Sequence, residues 1–507
     1  MSHSAPTPTA EGTTPESEPY PKRWLALAVI AVTVLMVILD ATIVNIALPA
    51  VSADLAITEA TQQWIVTAYT LTFGGFLLLG GRIADFWGRK RTYLVGAVGF
   101  AIASALGGLA QNEAMLFGAR ALQGAFGALL APASLALLTV LFTDAKERAK
   151  AFAVYGAIAG GGSAVGLLLG GVLTEYADWR WCFWVNVPVA IVAVAAAIPI
   201  VPESRAPGET KYDIPGAALV TVGLGSLVYG FTKVAEASQR DPQANAWANG
   251  PALTFIVVGL LLIAAFVVVE LKVRNPLLPM RLVLDRNRGG AYLTSTLVGS
   301  GLIGAFFFLS LYFQQVLQYT PVQAGFASLP TTLGVLVAAG VASALVPKLG
   351  PKPLMVLGGL LAAGGLFLMS FLDVDSSFWS LAFPGQLLLG LGLGFTFVPL
   401  SNLALIGAGE HDAGAASAML NATQQVGASI GTALLATLSV GAITDALRDN
   451  PPSATNPAAA LEAQVAGYTT AFTWASVLLV IGALVSAVLI KATKEDLPAD
   501  GALVHAG

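Results

Sequence analysis

Residues 24–48 read WLALAVIAVTVLMVILDATIVNIAL, twenty-five residues with one ionisable side chain, Asp40. A bilayer core about 30 Å thick is crossed by about 20 apolar residues in helical form, so this stretch is a membrane span. A charge inside it costs at least about 2.5–3.5 kcal/mol on insertion scales and marks a functional position by default. Thirteen further apolar stretches follow, at 62–81, 92–110, 114–142, 151–173, 182–201, 214–232, 251–269, 290–313, 323–346, 354–372, 379–406, 424–442 and 468–490. Their interiors add one more ionised side chain, Arg120.

Composition agrees with the spans. The chain is 56% hydrophobic and 11% charged, against about 25% charged in soluble domains. The expectation is an all-α polytopic membrane protein with fourteen transmembrane helices. An even number of spans puts both termini on one side. Of the 25 Lys and Arg, 20 then fall on the side of the termini, four on the other, and Arg120 within the membrane. The positive-inside rule makes the former side cytoplasmic, in the cell membrane. A net charge of −4 with no basic stripe argues against a nucleic-acid partner. His3, His411 and His505 all lie outside the spans, and Cys182 is the sole cysteine, so neither a metal site nor an intramolecular disulfide is expected. No cofactor is indicated, and GGRIADFWGRKR at 80–91 lacks the pattern of a phosphate-cradling loop. Without an intramembrane histidine or carboxylate pair, an enzyme is not expected.

Asp40 and Arg120 lie roughly 13 and 10 Å from the outer ends of their spans, within one helical turn of each other. They are placed to pair, or to compete within one proton-dependent network; the alternative is a permanent salt bridge that only fixes two helices. Burial raises a carboxyl pKa and a nearby arginine lowers it, so relative motion of two such groups would switch proton affinity. Thr42 and Asn45 share a face roughly opposite Asp40. Arg120, Gln123, Gly124 and Gly127 form a polar and small-residue face that admits a close helix neighbour. In the loop after the second span, Asp85 and Arg89 are spaced to pair on one helical turn, while Gly81 and Gly88 are expected to permit close backbone approach. Internal echoes relate GRKRTYLVGAV at 88–98 to GPKPLMVLGGL at 350–360, and GAFGALLAP at 124–132 to GLGLGFTFVP at 390–399. Two similar halves are a transporter design.

GRIADFWGRKR at 81–91 resembles the loop signature of the major facilitator superfamily, and ARALQG at 119–124 its fourth-span signature. LDATIVNIALP at 39–49, DWRWCFWVNVP at 178–188 and LYFQQVLQYTPVQAGFASLP at 311–330 resemble the fourteen-span drug:proton antiporter branch. The resemblance implies a major facilitator fold of two six-helix halves plus two extra central helices. Its divisions are a disordered cytoplasmic tail at 1–21, a first half at 22–201, inserted helices at 202–272, a second half at 273–491 and a tail at 492–507. It implies proton coupling at Asp40 and Arg120, and a cytoplasmic gate at Gly81, Asp85, Gly88, Arg89 and Lys90. The fifth-span signature departs from the family: in GGGSAVGLLLGG at 160–171, Leu167 stands where proline is expected, although Gly162, Gly166 and Gly170 keep a packing stripe. Asn45, Gln123, Gln314, Gln315, Asn421 and Gln425 are candidate substrate-cavity residues, beside an aromatic run at 306–313 that reads as cavity lining or, more blandly, as lipid-facing surface or packed core. Spans nine to fourteen hold no carboxylate to serve a dication, and a large amphipathic, neutral or monocationic compound fits better than a small polar nutrient. The implied activity is proton-coupled export of amphipathic drugs or antibiotics by a monomer through alternating access. The alternative is an importer or facilitator of the same fold for a small organic solute.

Overall fold

A computed structural model describes residues 20–142, 144–205, 213–241, 244–273, 276–278, 280–405, 413–452 and 458–496. His3, His411, His505, most of the expected N-terminal tail and the chain from 497 lie outside them. Among the described residues, thirteen helices are long and apolar enough to cross a membrane. They are α1 (Arg23–Asp54), α2 (Glu59–Trp87), α3 (Arg89–Gly108), α4 (Glu113–Leu141), α6 (Trp181–Ile200), α7 (Ile214–Arg240), α8 (Gly250–Lys272), α9 (Arg286–Val316), α10 (Pro321–Leu349), α11 (Pro351–Met369), α12 (Phe378–Leu403), α13 (Met419–Asp449) and α14 (Ala459–Leu489). The remaining expected span, 151–173, lies within α5 (Ala145–Tyr176), a continuous helix of 32 residues. Its continuity fits Leu167, which imposes no proline kink.

Helix starts follow local chemistry. Asn112 caps α4 by accepting from the Met115 N–H at 2.9 Å, and Asp285 caps α9 through the Arg288 N–H at 2.9 Å. These satisfy donors that the first turn leaves orphaned. Gly88 and Gly350 open α3 and α11 with φ of 128° and 77°, a region that L residues with side chains avoid. The sequence echo between 88–98 and 350–360 is therefore an echo in backbone geometry.

The same packing scheme occurs twice. In the first half α4 packs on α2 and α3, α1 on α5 and α6, and α3 on α6. In the second, α12 packs on α10 and α11, α9 on α13 and α14, and α11 on α14. The halves meet where α5 crosses α10 and α2 crosses α13. The pair α7 and α8 pack on each other, and α7 lies against both α2 and α13. Only 17% of the central α8 window is buried, against 72% for α9, so α8 is the outermost helix.

We call the face where α1 begins and α14 ends the terminal face, and the opposite one the distal face. One apolar core fills the distal side and draws on both halves, from Ile43, Ile65 and Leu116 to Phe313, Leu366 and Phe472. Toward the terminal face the core divides. One cluster draws on α1 to α6 with Ala422 the sole residue from the second half; another groups Tyr292, Met355, Leu400 and Leu420.

Candidate functional site

Asp40 sits on the buried face of α1 with no exposed surface, and Arg120 on α4 is 1% exposed. The Arg120 Nη1 donates to Asp40 Oδ2 at 2.6 Å. Gln123, one turn along α4, donates through Nε2 to Asp40 Oδ1 at 2.8 Å and accepts from Arg120 Nη1 at 3.0 Å. From α6, Asn186 Nδ2 also donates to Asp40 Oδ1 at 2.8 Å. Ser104 on α3 receives Gln123 at 2.7 Å and Asn186 at 3.3 Å. Arg120 Nε is held by the Ile65 carbonyl of α2 at 2.9 Å, and its guanidinium carbon lies 4.4 Å from the centre of the Tyr69 ring. Five helices of the first half thus converge on one carboxylate.

The arrangement is net neutral and buried, and both Asp40 oxygens accept hydrogen bonds. A buried ion pair contributes little net stability against apolar packing, yet removing one partner costs about 3–5 kcal/mol because the other charge is stranded. Three donors reach the Asp40 carboxylate, two on Oδ1 and Arg120 on Oδ2. Asn186, Ser104 and Tyr69 were not singled out by sequence. An isolated amide in the apolar 182–201 stretch was the available signal for Asn186, since polar side chains in a span usually bond across helices.

The loop between α2 and α3 carries the expected pair, Arg89 Nη2 to Asp85 Oδ1 at 3.0 Å. Its other contacts go to the end of α6. The Arg89 N–H donates to the Ser204 carbonyl at 2.9 Å, the Lys90 N–H to Glu203 Oε1 at 3.1 Å, and Lys90 Nζ to the Ile198 carbonyl at 2.6 Å. Beyond the first half the loop reaches through Arg82, whose Nη2 donates to the Pro276 carbonyl at 3.3 Å. Close approach is corrected by one position. Gly80 makes the close approach to α4: a Cβ there would overlap the Ala128 carbonyl, whereas one on Gly81 would meet Pro132 of the same helix at 3.7 Å, an ordinary contact. Adjacent residues are about 100° apart around a helix, so Gly80 faces α4 directly and Gly81 only at its edge. Gly88 does fit expectation, with Glu203 Oε1 2.7 Å from where its Cβ would stand.

On α5, Gly162 packs on Leu35 and Ile38, Gly166 on Leu39 and Thr42, and Gly170 on Ile43. The stripe therefore seats α5 against the α1 turns that flank Asp40.

The six candidate cavity residues do not line one wall. Gln123 belongs to the Asp40 cluster. Asn45 and Gln314 meet at the α1–α9 contact, where Gln314 Nε2 donates to the Ile46 carbonyl at 2.9 Å. Gln315 accepts from the Tyr468 hydroxyl at 2.5 Å. On α13, Gln425 faces Gly74 of α2, one turn from Asn421. These amides sit on four helices and were grouped by chemistry alone. In the aromatic run, Phe307, Phe308, Tyr312 and Phe313 are buried in the distal core, which decides for packing over lipid exposure.

The Major Facilitator Superfamily model matches residues 30–432. The chain is 46% identical to a puromycin resistance protein of Streptomyces alboniger, over 94% of this chain and 93% of the relative. It is 37% identical to a cephamycin export protein of Amycolatopsis lactamdurans, over 80% and 82%. A multidrug efflux pump of Mycolicibacterium smegmatis is 33% identical over 84% and 83%. Among solved structures, a bacterial homologue of the human lysosomal transporter Spinster, inward-facing and unoccupied, aligns with a TM-score of 0.64 at 14% identity, covering 96% of this chain and all of that one. At that identity the likeness is one of fold.

Proposed function

The chain belongs to the major facilitator superfamily, and from that premise we propose that it exports amphipathic drugs or antibiotics across the cytoplasmic membrane in exchange for protons. It is a transporter, not an enzyme. Export accords with the relatives named for antibiotic resistance and efflux. Proton coupling rests on one observation: a fully buried carboxylate on α1 bonded to a fully buried arginine on α4. In the cycle, Asp40 takes a proton from outside as its bond to Arg120 loosens. It returns the proton to the cytoplasm when Arg120 pairs with it again. Gln123 and Asn186 hold the carboxylate in place through both steps.

The terminal face is cytoplasmic in this reading, supported by the 20 Lys and Arg assigned to it. The shared distal core and the divided terminal cores suit a state closed to the outside, in which the halves rock about a central site. One proton falling through 100 mV and one pH unit yields roughly 3.7 kcal/mol, sufficient for a ratio of several hundred in a neutral substrate. No other energy source is required, and a monomer suffices. On the substrate side, Asn45 Oδ1 is buried without a hydrogen-bond partner and is an open acceptor for a donor group on the drug.

Everted vesicles carrying the protein test the direction and the driving force. Accumulation of a lipophilic antibiotic that collapses with a protonophore supports the proposal. Equilibration without accumulation, indifferent to the protonophore, means a facilitator, and concentrative uptake into right-side-out vesicles means an importer.

A further inference from the structure

Pro49 lies within the last turns of α1. A proline has no N–H, so the carbonyl four residues earlier, that of Asn45, loses its partner along the helix. Such a group must be satisfied elsewhere when water is excluded. Its partner comes from the opposite half: Ser310 Oγ on α9 donates to the Asn45 carbonyl at 2.5 Å. The next carbonyl, of Ile46, accepts from Gln314 Nε2 at 2.9 Å, and the same amide lies 3.1 Å from Ser310 Oγ. Gln314 occupies a widened, π-helical turn of α9 over Tyr312–Val316, a distortion that recurs at functional positions. A proline-bearing turn of one half therefore faces a π turn on the other. These carbonyls lie roughly 8–9 Å beyond Asp40 along α1, toward the distal face.

We propose that the Asn45 carbonyl freed by Pro49 and the neighbouring Ile46 carbonyl, with Ser310 and Gln314, form a distal latch through which Asp40 controls opening of the outer face. The inference rests on the alternating-access reading above. Both acceptors are backbone atoms of the helix that carries the proton site. A rotation or shift of α1 that accompanies release of Arg120 moves both carbonyls at once, and both cross-half bonds break together. The Asn45 bond depends on the missing N–H at position 49, and neither bond uses the side chains at 45 and 46. Ser310 is buried and bonds across the interface, so its hydroxyl acts as a positioning group between the halves.

The test uses the full chain with Cys182, which is fully buried, changed to alanine and a reporter Ile303→Cys placed on α9 two turns to the terminal side of Ser310. Labelling by a membrane-impermeant maleimide from the outer side of right-side-out vesicles reads the latch without requiring transport. Ser310→Ala is expected to speed labelling about fivefold or more, the effect of losing one buried hydrogen bond. Ser310→Thr, which keeps the hydroxyl, should label at the parent rate. Pro49→Ala returns an N–H to the Asn45 carbonyl within α1. It should speed labelling comparably, and with Ser310→Ala be no faster than either change alone. Pro49→Ala should also unfold no lower than the parent in a thermal melt, which separates latch opening from damage. Parent-rate labelling in Ser310→Ala, or effects that multiply in the double variant, would overturn the latch. Efflux found independent of protons removes the antiport reading while leaving this comparison intact; coupled efflux with unchanged labelling removes the latch alone.

Discussion

Asn186→Leu removes one of the three donors that reach the Asp40 carboxylate while nearly preserving side-chain volume. The lost contact is the 2.8 Å bond to Oδ1, in a site without exposed surface. Hydrogen bonds to charged groups contribute about 1.5–3 kcal/mol, and burial leaves no solvent to replace this one. At about 1.4 kcal/mol per factor of ten, its loss should lower proton-coupled drug accumulation about tenfold or more. Everted vesicles, whose cytoplasmic surface faces the buffer, permit that measurement directly, with the parent and Asn186→Leu at matched expression. Accumulation at the parent level refutes the argument. An equal loss of downhill drug movement that ignores a protonophore would show that Asn186 serves packing alone.

Gly80→Ala should lower the thermal unfolding temperature of detergent-solubilised protein, at about 1–3 kcal/mol for overpacking, because its Cβ meets the Ala128 backbone; Gly81→Ala should unfold with the parent. Gly170→Ala forces a Cβ to 2.7 Å from the Ile43 carbonyl, and should lower both stability and efflux by pushing α5 off α1. Gly161→Ala, whose Cβ meets nothing within 4 Å, should change neither.

The spans were legible because a bilayer makes a demand that twenty consecutive side chains must answer, and Asp40 and Arg120 stood out because charge in that medium is costly. Helix depth counted from span ends allowed the pair to meet, since rise per residue is nearly fixed. Which neutral groups would surround them was not legible. Ser104 and Asn186 come from α3 and α6, and only the packing order of helices brings those beside α1. The contact of the α2–α3 loop with Glu203 was hidden for the same reason: 113 residues separate it from Lys90. Gly81 in place of Gly80 was an error of rotation, as was the grouping of Gln123 with Gln314 and Gln425. Sequence gives spacing along a helix, but the azimuth at which neighbours arrive belongs to the assembled bundle. The Asn45 carbonyl lay half in view, since Pro49 announces a freed acceptor, yet nothing in the chain's order names Ser310 as its donor.

Proton movement measured beside drug movement in reconstituted liposomes, for the parent and Asp40→Asn, tests the central claim most directly. Drug added on the export-donor side should drive a stoichiometric proton flux through the parent. In Asp40→Asn, drug should neither accumulate against its gradient nor move protons. Equal drug accumulation and proton flux in both proteins would contradict the claim and leave Asp40 as a structural link between α1, α4 and α6.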